Sequence, residues 1–287
     1  MQIGFIGLGN LGTPIAENIL EKRNQLFVYN RSVSKAQSIA EKGATICGSI
    51  KQLASRCDVV LSLVSDDAAV KEITKGDEGI AKNLKPGGIH VCMSTILPAT
   101  SLELTRVHRE HENYYVAAPV MGRPEAARAG KSNFLVAGDK RSVDVIRPLL
   151  LDAGGAAVWD FGDEPALANV AKLCSNSLIV SAIESMAEGI NLAKKSGLDP
   201  TIWMNMLTQT LFAAPVYINY GKILLTEMYQ PAGFTLKLGL KDINLMMEQS
   251  REVQAEMPIT QLMQQRFKDG VSKGLGDHDW TAVALLL

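Results

Sequence analysis

An excess of charge of either sign is the first thing this 287-residue chain lacks: 29 Lys and Arg stand against 30 Asp and Glu, a formal charge of −1. No block of like charge stands out either, so neither nucleic acid nor an anionic membrane is an expected partner. Cysteine is scarce. Cys47, Cys57, Cys92 and Cys174 show no CxxC and no zinc-ligand spacing. That excludes a disulfide framework and a metal centre as organising features, and each thiol reads as a small, reduced core residue. No uninterrupted apolar run approaches the ~18 residues of a bilayer span. The first strand begins at Met1 or Gln2, which leaves no room for a signal peptide, and a cytoplasmic location is the expectation. Aromatics are few at 6%, but apolar residues reach 47%, enough for a substantial core, and the length suggests two domains.

What is present begins with QIGFIGLGNLG (2–12) and the amphipathic segment TPIAENILEKR (13–23). This is strand, GxGxxG, helix, the fingerprint of a Rossmann dinucleotide site. Gly7 permits the tight turn, Gly9 admits a pyrophosphate to the backbone and Gly12 lets helix and strand pack closely. The helix N-terminus offers N–H groups to phosphate, so Gly7, Leu8, Gly9, Asn10, Leu11 and Gly12 form the expected cofactor loop. The second strand, QLFVYN, ends where a ribose would lie, and an NAD site usually carries Asp or Glu there. Here stand Asn30, Arg31 and Ser32. With no carboxylate to repel a 2′-phosphate and a guanidinium to pair with one, NADP(H) is preferred over NAD(H). The alternative is that Arg31 merely caps the strand.

Further strands are read in CDVVLSLVSDD, where Val64 joins the cofactor set, and in GGIHVCMST, YYVAAPV, NFLVAGD and GAAVWDF, with AAVKEIT as a helix. Alternation of this kind predicts a doubly wound α/β sheet over residues 1–162. Glu164–Ser196 then reads as one helix of about 30 residues, roughly 45–50 Å long, with Asp163 as N-cap, Pro165 in the first turn and Gly197 as the stop. LIVSAI (178–183) is apolar on nearly every side, as in a helix buried all round. Lys172 and Asn176, four residues apart, share one face: a snorkelling lysine, or a proton-transfer residue with its orienting amide. After this helix only helical spacing is found, starting at Asp199-Pro200, around LKDINLMMEQSREVQ and after Met257-Pro258. Residues 163–287 are therefore an expected all-α domain.

Two loops complete the candidate site. MSTILPAT (93–100) sets Ser94 and Thr95 past a strand end, on the edge where such sheets bind ligands. APVMGRPEAARAG (118–130) sets Gly122 and Arg123 after another strand; backbone N–H groups there, with the Ser94 hydroxyl, suit a carboxylate.

In this order, FIGLGNLG, YNRS and AKLCSN, together with PAGFTLKLGLKDINL (231–245) and LGDHDWTAV (275–283), make the whole chain resemble the β-hydroxyacid dehydrogenases. That family includes 3-hydroxyisobutyrate dehydrogenase and glyoxylate/succinic semialdehyde reductase and is related to 6-phosphogluconate dehydrogenase. The resemblance implies an NADP-dependent oxidoreductase acting on a small carboxylate-bearing substrate. Lys172 matches the family's catalytic lysine, with Asn176 beside it. Ser94, Gly122 and the following backbone match the substrate-carboxylate site; Thr95 and Lys241 match residues near the nicotinamide. Phe234 and Asp242 match positions where the helical domain closes over substrate. A protonated lysine suits carbonyl reduction, since a reference lysine with pKa about 10.4 is already charged near neutral pH. Family members commonly meet across their helical domains, and with LIVSAI this implies a homodimer or higher homo-oligomer.

The chain departs from the family pattern around the substrate. Cys92 replaces an Asp, Met121 and Arg123 replace the Ser and second Gly of a PVSGG loop, and Ala166 and Ala168 replace glycines before the lysine. Arg123 either meets a second anionic group or pairs with Glu125. Two rival readings remain. An imine reductase would share the NADPH site and a similar loop, but carries Asp or Tyr in place of Lys172. A non-catalytic cofactor-binding module would be marked by loss of the lysine or an added reader domain, and neither occurs.

Overall fold

The structure is a computed structural model that describes residues 1–23 and 25–287. Its chain divides into two compact units, Met1–Lys172 and Leu173–Leu287.

The first unit holds strands β1 (Ile3–Ile6), β2 (Phe27–Tyr29), β3 (Thr45–Ile46), β4 (Val59–Ser62), β5 (Ile89–Cys92), β6 (Tyr114–Ala117), β7 (Val120–Met121), β8 (Ser132–Gly138) and β9 (Gly155–Asp160). They lie in the order β3-β2-β1-β4-β5-β6-β8-β7, with β9 on β8. From β3 to β6 every pairing is parallel; β8 runs antiparallel to β6 and β7. Parallel strands are covered on both faces, which is why β1, β4 and β5 are apolar almost throughout and buried at every residue. Side chains alternate across the sheet. Ile3 and Phe5 of β1 and Val59 and Leu61 of β4 enter one core, while Ile6 and Val60 enter the core on the opposite face. Strand order reverses between β1 and β4, so the crevice outside their carboxyl ends is the ligand position for this topology. The doubly wound sheet expected for the N-terminal part is therefore present. The two-residue β3 escaped sequence reading because TI between turn residues carries no periodicity.

The second unit is helical throughout its described residues, apart from an isolated bridge between Thr235 and Asp279. Helices Pro200–Gln209, Leu236–Glu252 and Pro258–Ser272 fall where the spacing predicts them, the first with Asp199 accepting the Thr201 N–H. Helix Pro215–Thr226 was not anticipated: VYINY is β-branched and aromatic, like a strand. Pro215 fixes the first helical turn, and burial of Tyr220 and Leu224, four residues apart, holds the rest. Val180, Ile183, Met186 and Ile190 of the long helix enter this unit's core with Tyr220, Phe267 and Trp280.

The long helix spans Ala166–Lys195. It starts just after Pro165, so Asp163 lies outside its cap position, and the two compact units divide within it, between Lys172 and Leu173. Nor is it buried all round. Leu178 is 74% exposed, and Cys174 is exposed rather than in the core, whereas Cys47, Cys57 and Cys92 are buried. Its length and apolar composition are those of a bilayer span, but 44% of its most apolar stretch is buried within the structure. Its Glu184, 7% exposed at the side chain, is paired with Arg266 at 2.5 Å. One of its faces packs in the core of the helical unit, and the buried Glu184 carboxylate is matched by a charge from that same unit.

One buried polar chain in the first unit fixes protonation states. Asn113 donates Nδ2 to the carbonyls of Ala81 and Leu84 at 2.8 and 3.1 Å, so its Oδ1 faces His108 Nδ1 at 2.5 Å. His108 must then donate from Nδ1 and accept at Nε2 from His90 Nδ1, 2.9 Å away, and His90 Nε2 accepts from the Ser62 hydroxyl at 2.8 Å. Both rings are fully buried and neutral. Burial pushes His90 well below the usual histidine range, helped by its neighbour His108, and pulls His108 down to about 4. The unfolded chain binds protons near pH 6.5 and the folded chain does not. Stability is thus full above that pH and falls as pH drops toward about 4, by a few kcal/mol in order of magnitude. Urea titrations between pH 7 and pH 4.5 check this; His108→Gln, which removes one of the two titrating rings, should flatten the dependence.

Candidate active site

The glycine loop is built from three different constraints. Gly7 sits at φ +101°, and a Cβ there would lie 2.2 Å from the Leu63 carbonyl oxygen. At Gly12 a Cβ would lie 2.0 Å from the Gly7 oxygen, so helix Gly12–Arg23 packs onto the turn only because the side chain is missing. At Gly9 nothing lies within 4 Å of the Cβ position. That open cradle, facing the N-terminal turn of a helix, is the space a pyrophosphate requires. Leu8 and Leu11 send their side chains to the core and Asn10 is exposed, so what Leu8 and Leu11 offer a ligand is backbone.

Asn30 has a different part from the one its position suggests. Its Oδ1 accepts the Leu8 N–H at 2.9 Å and its Nδ2 donates to the Ser32 carbonyl at 2.9 Å. It braces the glycine loop against the turn after β2 and so presents Arg31 and Ser32. Beside them lies a cavity of about 310 Å³ lined by Gly7, Gly9, Asn30, Arg31, Ser32, Val64 and Lys35. Lys35 was missed in the sequence. It lies in the first turn of helix Val33–Ala40, whose N-cap is Ser32, and brings a second cation to the same rim as Arg31. Glu72, on helix Asp67–Thr74, is the carboxylate in this lining; it comes from a different element than the β2 end where an NAD site carries its acid.

Within the same unit, the β4 and β5 loops are tied together where Ser94 Oγ accepts the Val64 N–H at 2.9 Å. Ser94 is buried and Thr95 half-buried. Lys172 is 9% exposed. Its Nζ donates to the Val120 carbonyl at 2.8 Å and lies 3.3 Å from Met121 Sδ. A snorkelling lysine would reach for water; this one turns inward onto the 120–123 loop. Gly122 lets that loop press on β8, since a Cβ there would meet Ser132 Oγ at 2.9 Å. Arg123 Nε lies 3.7 Å from Glu125 Oε2, an ion pair looser than a hydrogen bond.

In the helical unit, Asn176, Asp242 and Lys241 form one cluster. Asn176 Nδ2 donates to Asp242 Oδ2 at 2.8 Å, and Lys241 Nζ pairs with Asp242 Oδ1 at 2.6 Å. Asn176 and Asp242 are buried, and Lys241 supplies the charge that makes a buried carboxylate tolerable. Phe234 packs edge-on against Trp280 at 4.8 Å, and its N–H donates to Asp279 Oδ2 at 3.3 Å. Among the described residues no group of three or more His, Cys, Asp or Glu has a metal-binding arrangement.

Comparison with known proteins gives a match over each unit. Residues 2–162 match the family model described as the NAD binding domain of 6-phosphogluconate dehydrogenase, and residues 166–287 match that described as NAD-binding of NADP-dependent 3-hydroxyisobutyrate dehydrogenase. An uncharacterised oxidoreductase of Bacillus subtilis is 38% identical over 99% of this chain and 98% of its own. Glyoxylate/succinic semialdehyde reductase 2 of Arabidopsis thaliana is 30% identical over 99% of this chain and 78% of its own. A solved structure, Psf3 in complex with NADP+ and 2-OPP, superposes with a TM-score of 0.89 at 25% identity, covering 99% of both chains.

The glycine geometry separates binding from folding. Gly9→Ala should melt within a degree or two of wild type while dinucleotide affinity falls about tenfold or more, because its methyl fills the phosphate cradle. Gly12→Ala should lose ~1–3 kcal/mol of stability as an overpacked contact. Thermal melts and dinucleotide titrations on the two proteins check both outcomes.

Proposed function

The chain belongs to the β-hydroxyacid dehydrogenases, NAD(P)-dependent oxidoreductases of the 3-hydroxyisobutyrate dehydrogenase type, and from that premise we propose that it reduces a small aldehydo- or semialdehyde acid with NADPH. The observation that carries the proposal is the buried Lys172 ammonium, turned onto the Val120–Arg123 loop rather than into water.

When bound, the nicotinamide ring supplies the hydride. The residues of the chain do the rest. The carbonyl oxygen of the substrate gains negative charge as it is reduced and needs a proton. An ammonium has three N–H donors. The Val120 carbonyl holds one of them and orients the head, and Lys172 gives another to the forming alkoxide. The Ser94 hydroxyl and the backbone N–H groups following Gly122 hold the substrate carboxylate. Asn176, fixed by Asp242, serves as the orienting amide on the same helix face. At the other end of the cofactor, Arg31 and Lys35 pair with the 2′-phosphate. The NADP-dependent description of the second matching family and the NADP+ in Psf3 support that choice. The semialdehyde reductase among the relatives supports the reductive direction and the substrate class.

Two variants test the two ends. Lys172→Ala should lower kcat by about 10²–10⁴-fold, the range for a lost general acid, with NADPH affinity nearly unchanged. Lys172→Arg should rescue poorly, since guanidinium holds its protons and needs more room. A folded Lys172→Ala protein that still reduces its substrate at near wild-type rate would refute the assignment. Arg31→Ala should weaken NADPH about tenfold or more while leaving NADH within about twofold, because one charge-assisted phosphate contact is lost. Titration of each cofactor by fluorescence measures this, and equal losses would remove the case for NADP(H).

A further inference from the structure

Helix Pro98–Glu110 follows directly on the loop that carries Ser94 and Thr95, and its N-cap residue, Leu97, has no side chain able to cap it. The missing acceptor comes from another element. Asp67 Oδ1 accepts the Leu97 N–H at 3.0 Å and the Thr100 hydroxyl at 2.6 Å. Asp67 is not needed for this purpose on its own helix, where Asp66 is the N-cap and accepts the Ala69 N–H at 2.9 Å. Its carboxylate instead serves the positive end of its neighbour. Because Ser94 Oγ holds the Val64 N–H, the loop 94–97 is fastened at both ends to the single segment 64–67. Thr95 and Ile96 lie between the two fasteners.

The capped turn also reaches toward the lysine. Ser101, next to Thr100, donates to Asn169 Oδ1 at 2.5 Å, and Asn169 lies fully buried one turn before Lys172 on the long helix. Thr100 faces Asp67 and Ser101 faces Asn169, so one helical turn sets both the height of Thr95 and the seat of the segment bearing Lys172.

We propose that Asp67 is a positioning residue for hydride transfer: by capping helix Pro98–Glu110 it holds Thr95 at the nicotinamide end of the cofactor and, through Ser101 and Asn169, keeps Lys172 in register with it. This rests on the reductase reading above. Displacement by about 1 Å is enough to cost two orders of magnitude in rate.

The test compares Asp67→Ala, Asp67→Asn and Thr100→Val with wild type, using kcat with NADPH and calorimetric titration with NADP+ and with 2′,5′-ADP, a fragment that lacks the nicotinamide half. In Asp67→Ala, kcat should fall about tenfold to a hundredfold. NADP+ affinity should fall about tenfold, while 2′,5′-ADP binds within about twofold of wild type. Asp67→Asn keeps an acceptor oxygen for Leu97 and should recover kcat to within about threefold of wild type. Thr100→Val loses one contact and should lie between wild type and Asp67→Ala. A lowered melting temperature with kcat and the NADP+ to 2′,5′-ADP affinity ratio unchanged would overturn the proposal, marking Asp67 as a structural cap alone. Should Asp67→Ala fail to fold, an unchanged ratio and kcat in Thr100→Val would overturn it equally. If wild type binds 2′,5′-ADP yet reduces no acid, the reductase reading falls, and the affinity ratio by itself still decides the part played by Asp67.

Discussion

The contact between the Lys172 ammonium and the Val120 carbonyl governs how the long helix is used. A buried ammonium is tolerable only when hydrogen-bonded, and the partner that satisfies it lies on β7 of the dinucleotide-binding unit. That contact, with Ala168 in the core and Asn169 on Ser101, makes the first two turns of the helix part of the sheet domain. From Leu173 onward the same helix belongs to the helical core. The change of composition at Gly162 marks where the strands stop, and the compact units divide ten residues later, after Lys172. The family models divide between 162 and 166 for the same reason, since sequence records the change of element.

Several polar side chains whose type suggests a ligand turn out to support the ligand-binding backbone instead. Asn30 is the clearest case: both ends of its amide are engaged inside the protein, on Leu8 and Ser32. Without it the Leu8 N–H would be a buried donor lacking a partner, at a cost of about 1–3 kcal/mol, and the loop would lose its tie to the turn carrying Arg31. Ser94 does both: its oxygen accepts the Val64 N–H and so joins the β4 and β5 loops, while its O–H can still donate to a ligand. Preorganisation of this sort matters because donors already aimed need not be reoriented when charge develops.

The sheet, the glycine loop and the helical remainder were legible because each rests on a strong local signal: buried alternation, a GxGxxG between strand and helix, and apolar residues at helical spacing. The order of motifs along the chain singled out Lys172 and the loop 118–130, and the structure sets the Lys172 ammonium on Val120 of that loop. What could not be read was the direction in which side chains turn. Leu178 sits in an apolar run and yet faces outward at 74% exposure, because a helix packed on one side offers its core only part of the circumference. Lys241 carries a charge that sequence cannot assign between a cofactor and the adjacent Asp242; in the structure it lies on Asp242. Lys35 was overlooked since nothing in a lone lysine on a polar helix separates a solvated residue from one on a cavity rim. Helix Pro215–Thr226 shows tertiary burial overriding local propensity.

The cofactor half and the substrate half of the site are constrained by different physics. Around the phosphates the determinants are backbone and absent side chains, and Gly7 and Gly12 admit no Cβ without a clash against main-chain oxygen. Such positions fix a binding mode and leave little room for drift. Around Lys172 the determinants are side chains on a fixed loop. Met121 brings a thioether to 3.3 Å from the ammonium, and a thioether is a weak acceptor with no proton to donate. On the proposed reading, the work a hydroxyl would do there passes to Ser94 and to the N–H groups after Gly122, while Arg123 adds a guanidinium to the same loop, 3.7 Å from Glu125. On that reading, a soft apolar group in place of a donor leaves the proposed proton donation by the lysine intact and alters which substituents fit next to it. On the same reading, Met121 and Arg123 are the positions that set selectivity, and the surrounding frame sets the reaction class.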